Sequence, residues 1–245
     1  MGKILAVVSG KGGVGKTTLC ACLAVCLAQA GQRVLCIDAD VGLRNLDLSL
    51  GLAEEPAIPF TAVMRGEYPL SSALTHPVLP QLRFLTAPVT EQPESIDPAQ
   101  FGAMLEAARQ EFDWCLIDAP AGVGAGFRLA VAYADVALVV TGGEPAALRD
   151  GAKAVRCMEE FSDAEAKVVV NRIRTKIFKR IRFTVDDCMD AVGLPLIGIV
   201  PEDKEITLAA AAGRALTKRS KKGALPACRN IANRLMGKNQ PLLKL

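Results

Sequence analysis

A chain of 245 residues with 51% hydrophobic and 22% charged side chains has ample material for a buried core, as one large α/β unit or two small ones. Aromatics make up only 4%, which argues against base-stacking recognition of single strands or RNA, and a net charge of +3 implies no polyanion partner by itself. No apolar run is long enough to span a bilayer, the N-terminus lacks a signal-peptide cleavage pattern, and Ala6 stands where an acylation motif after Gly2 wants Ser or Thr, so a cytoplasmic protein is expected.

The first apolar run, Ile4–Ser9, reads as a strand and runs through glycines into a helix over Lys16–Ala30. A strand over Arg33–Asp38 follows, then a Pro-bearing irregular stretch from Leu52 to Gln81 and a strand over Arg83–Ala87. Next come a helix over Pro98–Glu111, a strand over Trp114–Asp118, a helix over Gly126–Ala134 and a strand over Val136–Thr141. The remainder reads as helix Ala146–Phe161, strand Lys167–Asn171, helix Val185–Val192, strand Leu196–Pro201, and helices Lys204–Ala212 and Leu225–Met236. The strands are continuously apolar rather than alternating, as strands buried on both faces are. Their alternation with helices predicts an α/β fold, a doubly wound and mostly parallel sheet with helices on both faces. One domain over residues 1–245 is expected, with a short tail over 237–245.

The eight cysteines lie inside helix or strand patterns and none forms a Cys-x-x-Cys, so they read as small core hydrophobes in a reducing cell. Cys22 and Cys26 are four apart on one helix and share a face. The single histidine, His76, precedes Pro77 in a loop-like stretch and reads as a surface residue. That leaves no material for histidine triads or zinc hydrolase chemistry.

The segment Gly10-Lys11-Gly12-Gly13-Val14-Gly15-Lys16-Thr17-Thr18 fits the phosphate-loop pattern in its required setting, after a strand and at the start of a helix. Its glycines let backbone N–H groups close around phosphate oxygens at a helix N-terminus. Lys16 is expected at the β- and γ-phosphates and Thr17 on Mg²⁺. Asp118 ends an apolar strand and leads into Ala119-Pro120-Ala121-Gly122, the arrangement in which a carboxylate holds Mg²⁺ through water and the following loop senses the γ-phosphate. Asp38 and Asp40 end the second strand, with Asp38 the further metal candidate; carboxylates at such positions also serve as helix caps. ATP and Mg²⁺ are the expected cofactors.

The extra lysine in Lys11-Gly12-Gly13-Val14-Gly15-Lys16-Thr17-Thr18 resembles the deviant Walker A ATPases, the MinD/ParA family. The resemblance implies that Lys11 crosses an ATP-dependent homodimer interface to the second copy's nucleotide, where another cation stabilises the charge of phosphoryl transfer. By the same resemblance Asp40 orients the attacking water. Asn171, Arg172, Pro201, Glu202 and Asp203 hold the adenine, although Asn and Pro at strand ends are also ordinary turn chemistry. Gly122 and Asp150 belong to the switch and interface.

Within the family, Gly42-Leu43-Arg44-Asn45-Leu46-Asp47 is similar to the branch that places the division septum. That implies a switch at the inner face of the membrane, with a MinC-like division inhibitor and a MinE-like regulator as partners. Ala119 and Gly124 depart from the residues common in that branch, Ser and Glu, and the second change implies a more flexible loop after Asp118. Residues Gly237 to Leu245, interrupted by Pro241, are too short for an amphipathic membrane helix, so weak or indirect membrane contact is expected. Two basic runs keep a second reading open, a positioning ATPase that binds DNA or a polar protein. The first holds Arg172, Arg174, Lys176, Lys179, Arg180 and Arg182, and the second Lys218, Arg219, Lys221 and Lys222; such runs are also ordinary solvated faces.

Overall fold

Uninterrupted aliphatic strands need apolar cover on both sides, and the computed structural model, which describes residues 1–174, 184–212 and 223–242, provides it. The strands are β1 (Lys3–Val8), β2 (Val34–Asp38), β3 (Leu74–Thr75), β4 (Leu82–Leu85), β5 (Trp114–Asp118), β6 (Val136–Thr141), β7 (Glu165–Ile173) and β8 (Leu196–Pro201). They form one sheet in the order β3-β4-β2-β5-β1-β6-β7-β8, parallel throughout except for the antiparallel β3–β4 pair at one edge. The described helices are α1 (Lys16–Gln29), α2 (Leu46–Leu50), α3 (Phe60–Met64), α4 (Pro98–Glu111), α5 (Ala125–Ala132), α6 (Pro145–Glu159), α7 (Val185–Val192), α8 (Lys204–Ala211) and α9 (Ala224–Leu235).

Side chains alternate along each strand into two cores. Leu5 and Val7 of β1 join α1, α2 and α9 on one face. Ile4, Ala6 and Val8 join α4, α5 and α6 on the other. Gly198 of β8 lets α9 sit close, since a Cβ there would fall 2.3 Å from Cγ1 of Ile231. At the N-terminal rim Arg109 holds the Gly2 and Tyr133 carbonyls and Asp135, while Arg33 pairs with Asp113. The opposite rim gathers the C-terminal ends of the parallel strands. Because β1 connects outward past β5 while β6 lies on its other side, the crevice of the doubly wound sheet opens at the end of β1.

Local differences from the sequence reading lie mostly in the Leu52–Gln81 stretch. It contains α3, a 3₁₀ turn over Leu70–Ser72 and strand β3 instead of being irregular throughout. His76 is a correction: it is buried, 3% exposed, not a surface residue. Its Nδ1 accepts from the backbone N–H groups of Val78 and Leu79, which leaves Nε2 to donate to the Leu50 carbonyl. Burial lowers its pKa, in keeping with a neutral ring that ties this edge of the sheet to the end of α2. The basic residues Lys176, Lys179, Arg180, Arg182, Lys218, Arg219, Lys221 and Lys222, and tail residues Leu243 to Leu245, lie outside the described residues.

Candidate functional site

The loop between β1 and α1 owes its shape to glycine. Gly13 and Gly15 take φ values of +82° and +84°, which side chains disfavour. Gly10 is required for contact: a Cβ there would fall 1.9 Å from the Asp150 carbonyl oxygen at the first turns of α6. Ser9 Oγ braces the loop by donating to the Lys11 carbonyl at 2.9 Å. Helix α1 starts from Gly15 with no side-chain cap and no acidic residue in its first turn, so no capping side chain among the described residues competes for its leading N–H groups.

Lys16 opens α1 and points inward. Its Nζ donates to Asp118 Oδ1 at 2.7 Å and lies 3.5 Å from Thr17 Oγ1. Lys16 is 6% exposed and Asp118 1%, so this is a buried ion pair. The second Asp118 oxygen, Oδ2, is buried without a hydrogen-bond partner among the described residues. Asp118 stands opposite Asp38 in the β2–β5 register. Burial, and then the Asp118 charge, push the Asp38 carboxyl up to about 7, although Leu46 and Asp40 N–H groups donate to it. Burial raises Asp118 as well, against the pull of Lys16 and the Thr17 hydroxyl. Asp40 is half-buried; burial raises its pKa while Lys16 lowers it. Two crowded carboxylates, an orphaned oxygen and a neighbouring hydroxyl are the donor set a hard divalent cation takes, so Thr17, Asp38 and Asp118 fit Mg²⁺.

Lys11 points away from this cluster. Its Nζ lies 3.8 Å from Asp150 Oδ2, and both side chains are about two-fifths exposed. Gly122 takes φ +86° in the loop after Asp118 and donates its N–H to the Ser9 carbonyl at 3.1 Å.

Beside the loop, the ends of β7 and β8 enclose a cavity of about 280 Å³. Gly15, Thr18, Asn171, Arg172, Pro201, Glu202 and Asp203 all line it, so the proposed adenine-binding residues come together. Gly12, Gly13, Val14 and Lys11 face a second cavity of about 300 Å³ that shares Asn171, Arg172 and Glu202 as its wall. Asn171 Nδ2 donates to the Val14 carbonyl at 2.8 Å and the Gly15 carbonyl at 3.3 Å, which leaves Oδ1 as the amide's remaining polar atom. Arg172 adopts a left-handed φ of +57° and donates Nη1 to the Gly13 carbonyl at 2.9 Å. The carboxylate of Asp203 accepts from the N–H groups of Glu205 and Ala224, so it caps α8 and fastens the start of α9.

Sequence reasoning missed Glu144 as a wall residue and gave Arg174 no role beyond the basic run. Arg174 makes a two-pronged pair with Glu202, at 2.8 and 3.2 Å, which holds the Glu202 carboxyl below its usual range. The spacing Arg172-x-Arg174 at a strand end was the available signal, since alternate residues share a face.

A glycine loop at the switch point of a parallel sheet, an inward lysine and paired carboxylates at adjacent strand tips define a P-loop nucleotide-binding protein. The chain belongs to the CobQ/CobB/MinD/ParA nucleotide-binding family, whose model matches residues 5–216. It is 40% identical to the septum site-determining protein MinD of Synechocystis over 99% of this chain and 92% of that protein. Among solved structures it is similar to the MinC:MinD cell division complex of Aquifex aeolicus, with TM-score 0.90 and 34% identity over 99% of this chain and 98% of that one. It is also similar to MinD of Pyrococcus horikoshii complexed with Mg-ADP, with TM-score 0.82 and 27% identity over 96% of each chain.

Proposed function

We propose that this protein is an ATP-driven dimerising switch that helps place the division septum, as its MinD relatives are named for doing. The observation that carries the switch reading is the divergence of the two loop lysines. Lys16 is buried on its own strand-tip carboxylate, whereas Lys11 reaches outward to a half-exposed Asp150. A lysine aimed out of its own cradle is available to a second copy, and its exchange from Asp150 to the second copy's nucleotide would couple hydrolysis to dimerisation.

In this reading Lys16 leaves Asp118 for the β- and γ-phosphate oxygens, while the uncapped start of α1 and the loop amides receive the phosphate charge. Thr17, Asp38 and Asp118 hold Mg²⁺, which when bound neutralises developing charge on the phosphates. Asp40, beside the Lys16 charge, orients the attacking water. Asn171 Oδ1, with its amide hydrogens committed to the loop, accepts from the amino group of adenine; the oxygen that guanine carries there would be repelled. The ATP dimer then engages an inhibitor of the MinC class and the inner face of the membrane as a peripheral protein, and a MinE-like regulator ends the cycle.

Light scattering with Mg-ATP tests the reading. The unaltered protein is expected to dimerise and hydrolyse ATP. Lys11→Ala is expected to bind nucleotide without dimerising, and Asp40→Ala to accumulate dimers without turnover. Normal hydrolysis by Lys11→Ala would remove the shared-lysine mechanism. Parallel sedimentation with anionic vesicles and with duplex DNA separates septum placement from a DNA-positioning role.

A further inference from the structure

The phosphate loop is braced from two directions. Its later half hangs from the end of β7: Asn171 Nδ2 donates to the Val14 and Gly15 carbonyls, and Arg172 Nη1 to the Gly13 carbonyl. Its earlier half rests on Ser9 and α6. Ser9 Oγ donates to the Lys11 carbonyl at 2.9 Å, and Gly10 is pressed on the Asp150 carbonyl. Ser9 is 1% exposed, so water is no ready substitute for its hydroxyl.

The Ser9 carbonyl has a different partner. The chain leaving β5 stays stitched to the end of β1 past Asp118, with the Ala119 N–H on the Val7 carbonyl and the Gly122 N–H on the Ser9 carbonyl, each at 3.1 Å. Pro120, between them, has no N–H to offer. Its ring needs the glycine at 126, where a Cβ would fall 2.5 Å from Pro120 Cγ. The two loops run side by side, since a Cβ on Gly12 would stand 3.8 Å from Ala121 Cβ. One buried residue therefore holds Gly122 with its carbonyl and Lys11 with its hydroxyl.

We infer that Ser9 is a positioning residue that ties the setting of the Gly122 loop to the aim of Lys11. This rests on the reading of Lys11 as the lysine offered to a second copy. The pair between the Lys11 ammonium and Asp150, 3.8 Å apart and about two-fifths exposed on both sides, is a weak tether, so the backbone sets the lysine's direction. A Gly122 loop drawn toward a γ-phosphate displaces the Ser9 carbonyl, and the hydroxyl of the same residue passes the shift to the Lys11 carbonyl. The later half of the phosphate loop, on its own braces, stays in place. Ser9 thus acts on the outward lysine and not on the cradle of the β-phosphate.

The test combines steady-state ATP hydrolysis with Mg-ADP calorimetry on the full chain. Ser9→Ala is expected to lower kcat roughly tenfold, the rate equivalent of one hydrogen bond lost from the reacting dimer, with KM for ATP and ADP affinity within about twofold of the unaltered protein. Gly122→Ala disturbs the other end of the link, because a φ of +86° disfavours a side chain although none would clash there. It is expected to lower kcat as well, and the double variant to stay within about twofold of the slower single one, as residues acting through one link do. An unchanged kcat in either single variant, an ADP affinity that falls as far as kcat, or losses that multiply in the double variant would each overturn the inference. Lys11→Ala measured alongside keeps the two readings apart. Normal hydrolysis there removes the shared lysine and this inference with it, whereas lost hydrolysis there with full turnover in Ser9→Ala overturns this inference alone.

Discussion

Lys16 illustrates how much a single site residue does before any ligand arrives. Its ammonium sits 2.7 Å from a carboxylate that is 1% exposed. Lys16→Ala is therefore expected to act twice. Calorimetry should detect no tight Mg-ATP binding, because the phosphates lose their direct cation. The protein itself should also be destabilised, since removing one member of a buried pair strands the other, a loss of about 3–5 kcal/mol. Adding Asp118→Asn removes the stranded charge. The double variant should regain most of the thermal midpoint and none of the nucleotide affinity, and a double variant as unstable as Lys16→Ala would show that the pair is not what the midpoint reports.

At the scale of elements, the contact between β8 and α9 depends on an absent side chain. Gly198→Ala would place a methyl 2.3 Å from Cγ1 and 2.7 Å from Cδ1 of Ile231. Overpacking of this kind costs about 1–3 kcal/mol. Trimming Ile231→Ala should then cost less in the Gly198→Ala background than alone, which a denaturant-based double-mutant cycle measures. The long elements were legible because their signal is local: Leu196–Pro201 is continuously apolar, and Pro98–Glu111 has Pro at its start after the capping residue Asp97. The five-residue helices α2 and α3 and the two-residue strand β3 are too short to show a period. They are held by distant partners, as Thr61 is by Glu91 and Pro59 by its bridge to Thr86. The glycine loop was legible for the same local reason as the long strands. The grip of Asn171 on Val14 and Gly15 was not, because a bond to a backbone carbonyl more than 150 residues away leaves no trace in the local pattern. His76 was misread for that reason too, since its most distant partner is the Leu50 carbonyl.

For the molecule as a whole, the strand-tip carboxylates set how stability varies with pH. The Asp38 carboxyl rises from an ordinary 3.8 to about 7 in the folded chain. Between those values the folded state holds more protons than the unfolded one, so this group's contribution is complete below about pH 4 and is lost as pH rises through about 7. Asp118 and Asp40, also raised, push in the same direction. Without nucleotide or Mg²⁺, the thermal midpoint should carry a negative component between pH 5 and 8. Asp38→Asn should flatten that slope whatever it does to the midpoint itself. An identical slope in the variant would mean that the crowding of Asp38 and Asp118 is relieved by some other means.

The proton held between those two strand tips also has a calorimetric signature. Near pH 7 the Asp38 carboxyl is partly protonated, and a divalent cation entering with the nucleotide would expel that proton into the buffer. The heat of titration should therefore depend on what receives the proton. Binding should read as more exothermic in an amine buffer, whose protonation releases much heat, than in phosphate, whose protonation releases little. The difference, divided by the gap between the two ionisation heats, counts the protons released. That count should fall toward zero at pH 9, where the carboxyl is already bare, and should be smaller at pH 7 in Asp38→Asn.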